Sequence, residues 1–239
     1  RSGILNLHAG EPPRFRALDP ATGREEDLGP APVDIWWTQL SPDGRWVVME
    51  ALRPDSPYEM DVWLIDTATG EALKTDLLES PYIDGYHWFP DRLVVAGWEK
   101  LQEWDLTRHA LRVLPARASY AGPLSPDGRY LAGRILHGDE DPETWLAPLT
   151  VAVYDLATET ERLYPEVGNW RVPHRGGGVP VNVPMRWADD GQSLYVLQWA
   201  EDAPYTDSKW HWAVLDLETG IMTPAREDEL PGDPFLYPA

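Results

Sequence analysis

The chain has 239 residues, of which 43% are hydrophobic and 11% aromatic, a composition that excludes a disordered chain and can bury the core of one or two domains, one being the simpler reading. Forty acids against twenty bases leave a net charge of −20, which argues against DNA, RNA or an anionic membrane surface as partner, because each needs a basic face. Cys is absent, so disulfides, thiolate metal sites and thiol catalysis are ruled out, while the compartment stays open.

No window approaches the ~18 consecutive apolar residues of a membrane span, and no secretory apolar segment is visible. A first residue of Arg1 rather than Met implies a processed or trimmed product. From the N-terminus, residues 4–8, 14–18 and 24–28 read as three short strands, with Asp19-Pro20-Ala21-Thr22-Gly23 as the turn between the last two. Then comes Ser41-Pro42-Asp43-Gly44-Arg45, followed by the apolar run Trp46-Val47-Val48-Met49-Glu50. Further on, Asp61-Val62-Trp63-Leu64-Ile65 leads into Asp66-Thr67-Ala68-Thr69-Gly70.

This pair of motifs recurs. The first returns as Phe89-Pro90-Asp91-Arg92, as Ser125-Pro126-Asp127-Gly128-Arg129 and as Ala188-Asp189-Asp190-Gly191. The second returns at Asp105-Leu106-Thr107, Asp155-Leu156-Ala157-Thr158 and Asp216-Leu217-Glu218-Thr219-Gly220. Both are turn chemistry: Pro presets φ, Asp bonds backbone amides two residues on, and Gly accepts positive φ. Alternating apolar runs flank them, and no amphipathic helix is evident. Each unit therefore reads as strand a, turn, strand b, loop, strand c, turn, strand d. Four antiparallel strands per repeat at ~40–50 residues is the pattern of a propeller blade.

These paired motifs resemble the TolB-type, WD-like β-propeller repeat family. The resemblance implies an all-β β-propeller of four-stranded antiparallel blades, and counting the units along the chain gives five blades in a single domain spanning residues 1–239. Complete blades fall at about 33–78, 82–116, 119–165 and 183–226. The opening segment supplies strands b, c and d, and residues 232–239 supply a strand a, so the C-terminal strand would join the first blade and close the ring. The tryptophans in strands, such as Trp46, Trp63, Trp88, Trp104, Trp187 and Trp212, are expected in the core between blades.

Strand direction puts the a–b and c–d turns of a blade at one end and the b–c and d–a loops at the other. The loop end carries the irregular, aromatic and charged material, and loops on a rigid scaffold carry recognition. Its candidate binding residues are Tyr58, Trp145, Trp170, Arg171, His174, Arg175 and Tyr205, of types enriched at hot spots. Asp34, Trp36, Asp84 and His87 are expected at the channel entrance on inner strands. The triple glycine 176–178 lacks a following helix and is no phosphate loop.

No Gly-x-Ser-x-Gly elbow or His-Glu-x-x-His pattern occurs, and the six His are scattered; no metal site and no cofactor is therefore expected. The acidic run 139–143 offers oxygen ligands to Ca2+, but Pro142 interrupts any EF-hand spacing. The resulting expectation is a non-catalytic binding, sensing or scaffold module, extracytoplasmic by the TolB-type resemblance, that recognises a protein or small ligand through the loop end. One alternative is a five-bladed carbohydrate hydrolase using Asp34 and Asp84, whose carboxyls would have to stand ~5–9.5 Å apart. Another is the gating propeller of a larger peptidase.

Overall fold

In the computed structural model of the chain, the described residues are 4–8, 14–18, 22–30, 35–53, 56, 59–77, 83–97, 100–118, 120, 122–136, 146–165, 169–171, 185–199 and 210–226. All regular structure among them is β, in five separate antiparallel sheets. Two compact units are formed, residues 1–95 with 102–112 and residues 96–101 with 113–239.

The first sheet holds β1 (Ile4–His8), β2 (Arg14–Leu18) and β3 (Glu25–Pro30) in that order. The second runs β4 (Ile35–Leu40), β5 (Trp46–Leu52), β6 (Met60–Asp66), β7 (Ala72–Thr75). In the third, β8 (Ile83–Trp88), β9 (Arg92–Gly97), β10 (Leu101–Asp105) and β11 (Ala110–Leu114) are likewise neighbours in sequence order. The fourth holds β12 (Tyr130–Leu136), β13 (Leu146–Asp155) and β14 (Thr160–Tyr164), with β15 (Asn169–Arg171) also paired to β13. The fifth runs β16 (Met185–Trp187), β17 (Ser193–Trp199), β18 (Trp210–Asp216), β19 (Met222–Pro224).

These sheets correct the fold reading. Every sheet is an open ladder with two edge strands and none closes or curls, so a closed five-bladed β-propeller of four-stranded antiparallel blades, sealed by a C-terminal strand, is not supported. The first sheet has three strands among the described residues, and the segment 232–239 assigned to complete it lies outside them. The physical reason is that a strand pattern encodes which side chains can be buried, not which distant edge the strand pairs with.

The fourth sheet departs from the repeat in a second way. Where strand a is expected, a single bridge joins Leu124 to Leu131. Pro123 cannot donate a ladder bond, although its carbonyl accepts from Ala132 N at 3.1 Å. The long β13 instead extends past β12, and its first residues Leu146, Ala147 and Pro148 pair with Arg171, Trp170 and Asn169. Part of the expected d–a loop is therefore strand.

Burial explains the apolar run of β5. Trp46 and Val48 on one face pack with Val62, Leu64, Leu93 and Val95. Val47, Met49 and Ala51 on the other pack with Ile65. A strand covered on both faces needs apolar residues at every position, each stabilising by about 1.5–3 kcal/mol when fully buried. In the second unit, Leu149, Val151 and Val153 of β13 pack with Leu194, Val196 and Trp212. Trp46, Trp104, Trp187 and Trp212 are buried.

The second turn motif has one conformation whatever its last residue. Gly70 and Gly220 take φ of 75° and 72°, and at the same step in the other copies His109 and Glu159 take 52° and 55°. A side chain in this left-handed region costs about 1 kcal/mol or more. His109→Gly should therefore raise stability by about 0.5–1 kcal/mol, and Gly70→Ala should lower it by about 1 kcal/mol. Urea melts of the two variants check the signs.

Candidate functional site

At the turn end of a sheet the polar side chains are consumed by the backbone. Ser41 Oγ donates to Asp43 Oδ1 at 2.6 Å and accepts from Trp46 N at 2.8 Å, while Arg45 N donates to the same Asp43 oxygen at 3.0 Å. Ser125, Asp127, Arg129 and Tyr130 repeat this arrangement at 2.6, 3.0 and 2.8 Å. In the second motif, Asp66 accepts from Ala68 N, Asp105 from Thr107 N and Arg108 N, and Asp155 from Ala157 N and Thr158 N. The two turns of a blade are then tied together, Thr67 N to Arg45 O at 2.8 Å and Leu156 N to Arg129 O at 2.9 Å.

These bonds favour ionised carboxylates. The Ser hydroxyl bond first, and then the backbone amide, hold Asp43 and Asp127 below the usual carboxylate range. Arg129, 2.6 Å from Asp155, is the main cause that brings that carboxyl down to about 2. A cleft of about 370 Å³ opens at this end of the second unit, among Tyr130, Asp155, Arg162, Tyr164, Gln192 and Glu218. Arg162 lies over the Tyr164 ring at 4.9 Å and donates to the Glu218 carbonyl at 3.0 Å, and Tyr164 Oη donates to Leu217 O at 2.9 Å. Its walls are thus held by bonds within the fold.

The loop end of the second sheet is built differently. Arg53 binds Glu59 at 2.7 Å and Asp61 at 2.8 Å, and Lys74 reaches Asp61 at 2.7 Å. Burial alone would push the Asp61 carboxyl up, but Lys74 and Arg53 hold it below its ordinary value. With Arg53 N donating to Glu59 O at 2.9 Å, this network pins both ends of the b–c loop.

Beside it the inter-sheet row of β5 changes character. Trp46 and Val48 are followed on the same face by Glu50, which is only 9% exposed. Glu50 stands opposite Trp37 on β4 and opposite Val62 on β6, so the three side chains share one face of the sheet. Tyr86, from β8 of the third sheet, covers this row and donates its hydroxyl to Glu50 Oε1 at 2.9 Å. Its ring stacks on Trp37 with centroids 5.0 Å apart and planes at 14°. β4 and β8 are edge strands of their sheets, and Trp37 keeps 39% exposure. The seam between these strands therefore ends in an indole open to water, with a desolvated carboxyl behind it.

Burial raises the Glu50 carboxyl above its ordinary value, and the Tyr86 hydroxyl offsets part of the rise. Burial, joined by the Glu50 charge and hydrogen bond, pushes the Tyr86 phenol above its usual range. Among the described residues no cation pairs with Glu50.

Of the residues singled out from the sequence, Tyr58, Trp145, His174, Arg175, Tyr205 and Asp34 lie outside the described residues, as does the acidic run 139–143. Trp36 is on β4 and Asp84 on β8, while Trp170 and Arg171 are on β15. His87 is the one candidate whose side chain is described. Its Nε2 is buried without a hydrogen-bond partner, and burial pushes its pKa down to about 4, so the ring is neutral at pH 7. No group of His, Asp and Glu able to hold a metal occurs among the described residues. Sequence reasoning passed over Glu50 and Tyr86. The signal was an acid at the third step of the row Trp46, Val48, Glu50, where an apolar residue belongs.

No family model and no curated protein matches the chain. Solved structures do. The tricorn protease matches with a TM-score of 0.57 and 16% identity, over 89% of this chain and 20% of that one. Hydrazine synthase of Kuenenia stuttgartiensis matches with a TM-score of 0.54 and 16% identity, over 88% and 59%. The β-propeller domain of the Trilobed protease from Pyrococcus furiosus, described as having an open velcro topology, matches with a TM-score of 0.54 and 13% identity, over 95% and 67%. The chain thus spans a fifth of the first protein and about three fifths of the second. At these identities the likeness shows a propeller-type fold in general and does not single out the TolB-type class.

Glu50 supplies a test of the seam. A carboxyl whose pKa is raised by folding contributes stability that is full below its unfolded value and lost as pH rises through the folded one. Glu50→Gln keeps an acceptor for Tyr86 and carries no charge. Its melting temperature should exceed the wild type's at pH 8 and converge with it at pH 4. Tyr86→Phe, which leaves the carboxyl without a donor, should lose about 1–3 kcal/mol at pH 8. Thermal melts across this range check both.

Proposed function

We propose that this chain is a non-catalytic, propeller-type recognition module that binds a protein or small ligand through the loop end of its sheets. The observation that carries the reading is the contrast between the two ends. Turn-end Ser and Asp side chains are spent on backbone amides, whereas the loop end of the second sheet presents Trp37 over a buried carboxyl. Trp and Tyr are among the residue types enriched at binding hot spots. Tyr58, Trp145 and Tyr205 are the further aromatic candidates that the sequence offers for recognition. An extracytoplasmic setting comes with this reading from the TolB-type repeat resemblance.

A second reading is favoured by one finding. Two of the matching structures are named as proteases, and the chain spans a small part of one. It would then be the propeller of a longer peptidase, with the loop end admitting or excluding substrate. Sequencing the gene on both sides of this segment separates the two readings, because only the second requires a peptidase domain.

The recognition reading is tested by crosslinking and affinity capture from envelope extract. Trp37→Ala and Tyr58→Ala should each reduce the captured partner at least tenfold. Arg108→Ala, a turn-end residue with 82% side-chain exposure, should leave capture unchanged. Loss with Arg108→Ala and none with the loop-end variants would place recognition at the opposite end.

A further inference from the structure

We propose that the indole of Trp37 with Glu50 behind it is a binding site for an alkylammonium group, the side chain of a lysine presented by a basic partner. The inference rests on the reading of the loop end as a recognition surface and names what that surface takes.

Three observations lead to it. First, Glu50 is a carboxyl in an inter-sheet row that is otherwise apolar, 9% exposed, and its one partner among the described residues is the neutral hydroxyl of Tyr86 at 2.9 Å. Other acids around it are matched: Asp61 holds both Arg53 and Lys74. A buried carboxylate without a cation is costly, and a cation brought by a ligand relieves that cost. Second, the group next to it on the solvent side is aromatic. Trp37 stands opposite Glu50 in the ladder, stacks one ring face on Tyr86 at 5.0 Å and keeps 39% exposure. A cation within about 6 Å of an indole centroid is attracted by the ring quadrupole, and more strongly where water is thin. Third, the chain carries forty acids and twenty bases, a field that draws cations towards it and repels anions.

Other ligand chemistries fit less well. A sugar would also stack on the indole, but it asks for several donors and acceptors around the ring, and Glu50 Oε1 is already engaged by Tyr86. An anion would face a carboxylate that has no cation beside it among the described residues. The Arg53 guanidinium is bound to Glu59 and Asp61. A lysine side chain supplies both elements, a methylene stem for the indole and a charge for the carboxylate field.

The test is a titration of the full chain with butylammonium, which reproduces the end of a lysine side chain, against 1-butanol as its uncharged counterpart. The probe is the Trp37 indole N–H resonance, assigned from its loss in Trp37→Phe. Butylammonium should give a saturable shift, with an affinity at least tenfold above that of 1-butanol. Glu50→Gln, which is expected to be more stable than wild type at pH 8, should lower that affinity about tenfold. Equal responses to the two compounds would overturn the proposal in favour of an uncharged apolar site. An unchanged affinity in Glu50→Gln, or no saturable shift, would overturn it as well. If Trp37→Ala abolishes partner capture while butylammonium gives no shift, the recognition reading stands and the ammonium site falls. If butylammonium saturates while capture is indifferent to Trp37, the reverse holds.

Discussion

The second to fifth sheets are each organised by a Ser or Asp side chain that takes the place of a missing ladder bond at the turn. In the first motif one Ser hydroxyl both accepts the amide that begins strand b and donates to the Asp two residues away. The turn is thereby closed from inside, and the amides that a hairpin leaves without partners are satisfied. The second motif does the same with an Asp acceptor. Once the two turns of a sheet bond to each other, the strand order and the registers between them follow. A buried amide left without its partner costs about 1–3 kcal/mol, so these side chains are committed to the fold and have nothing to offer a ligand.

That commitment divides the labour within a sheet. At the turn end the Ser and Asp side chains are spent on the backbone. The loop end inherits whatever the inter-sheet rows of side chains present there. In the second sheet the row that begins as Trp46 and Val48 ends on Glu50, and the covering residue from the third sheet is Tyr86. A carboxyl at this place weakens the packing, since burial opposes its charge. A residue that costs stability where an apolar one would fit marks a place where fold and function are in tension.

Much of the local structure was legible in the sequence. The Ser-Pro-Asp-Gly and Asp-x-x-Thr-Gly motifs mark turns because each residue has a specific backbone job there, and the flanking runs are strands as read. The site was less legible. Tyr58, Trp145 and Tyr205 were singled out as loop aromatics and lie outside the described residues, while Trp37 and Tyr86 sit on strands beside candidates that were named, Trp36 and Asp84. A strand residue looks like core until it is known that its strand is an edge and that its neighbour across the seam is another edge. Nor does the sequence alone show that Glu50 has lost its water.

The sequence by itself determined the class of structure, the turn positions, the alternation within strands and the acidic character, all of which depend on residues a few steps apart. The tertiary structure decided the pairings. It left every sheet open and did not support the closed five-bladed ring, it reduced one expected inner strand to a bridge at Leu124, and it turned part of a loop into β15. It also brought Trp37, Glu50 and Tyr86 together from three strands. Contacts between residues 36 positions apart depend on which edges meet, and no local spacing rule carries that information.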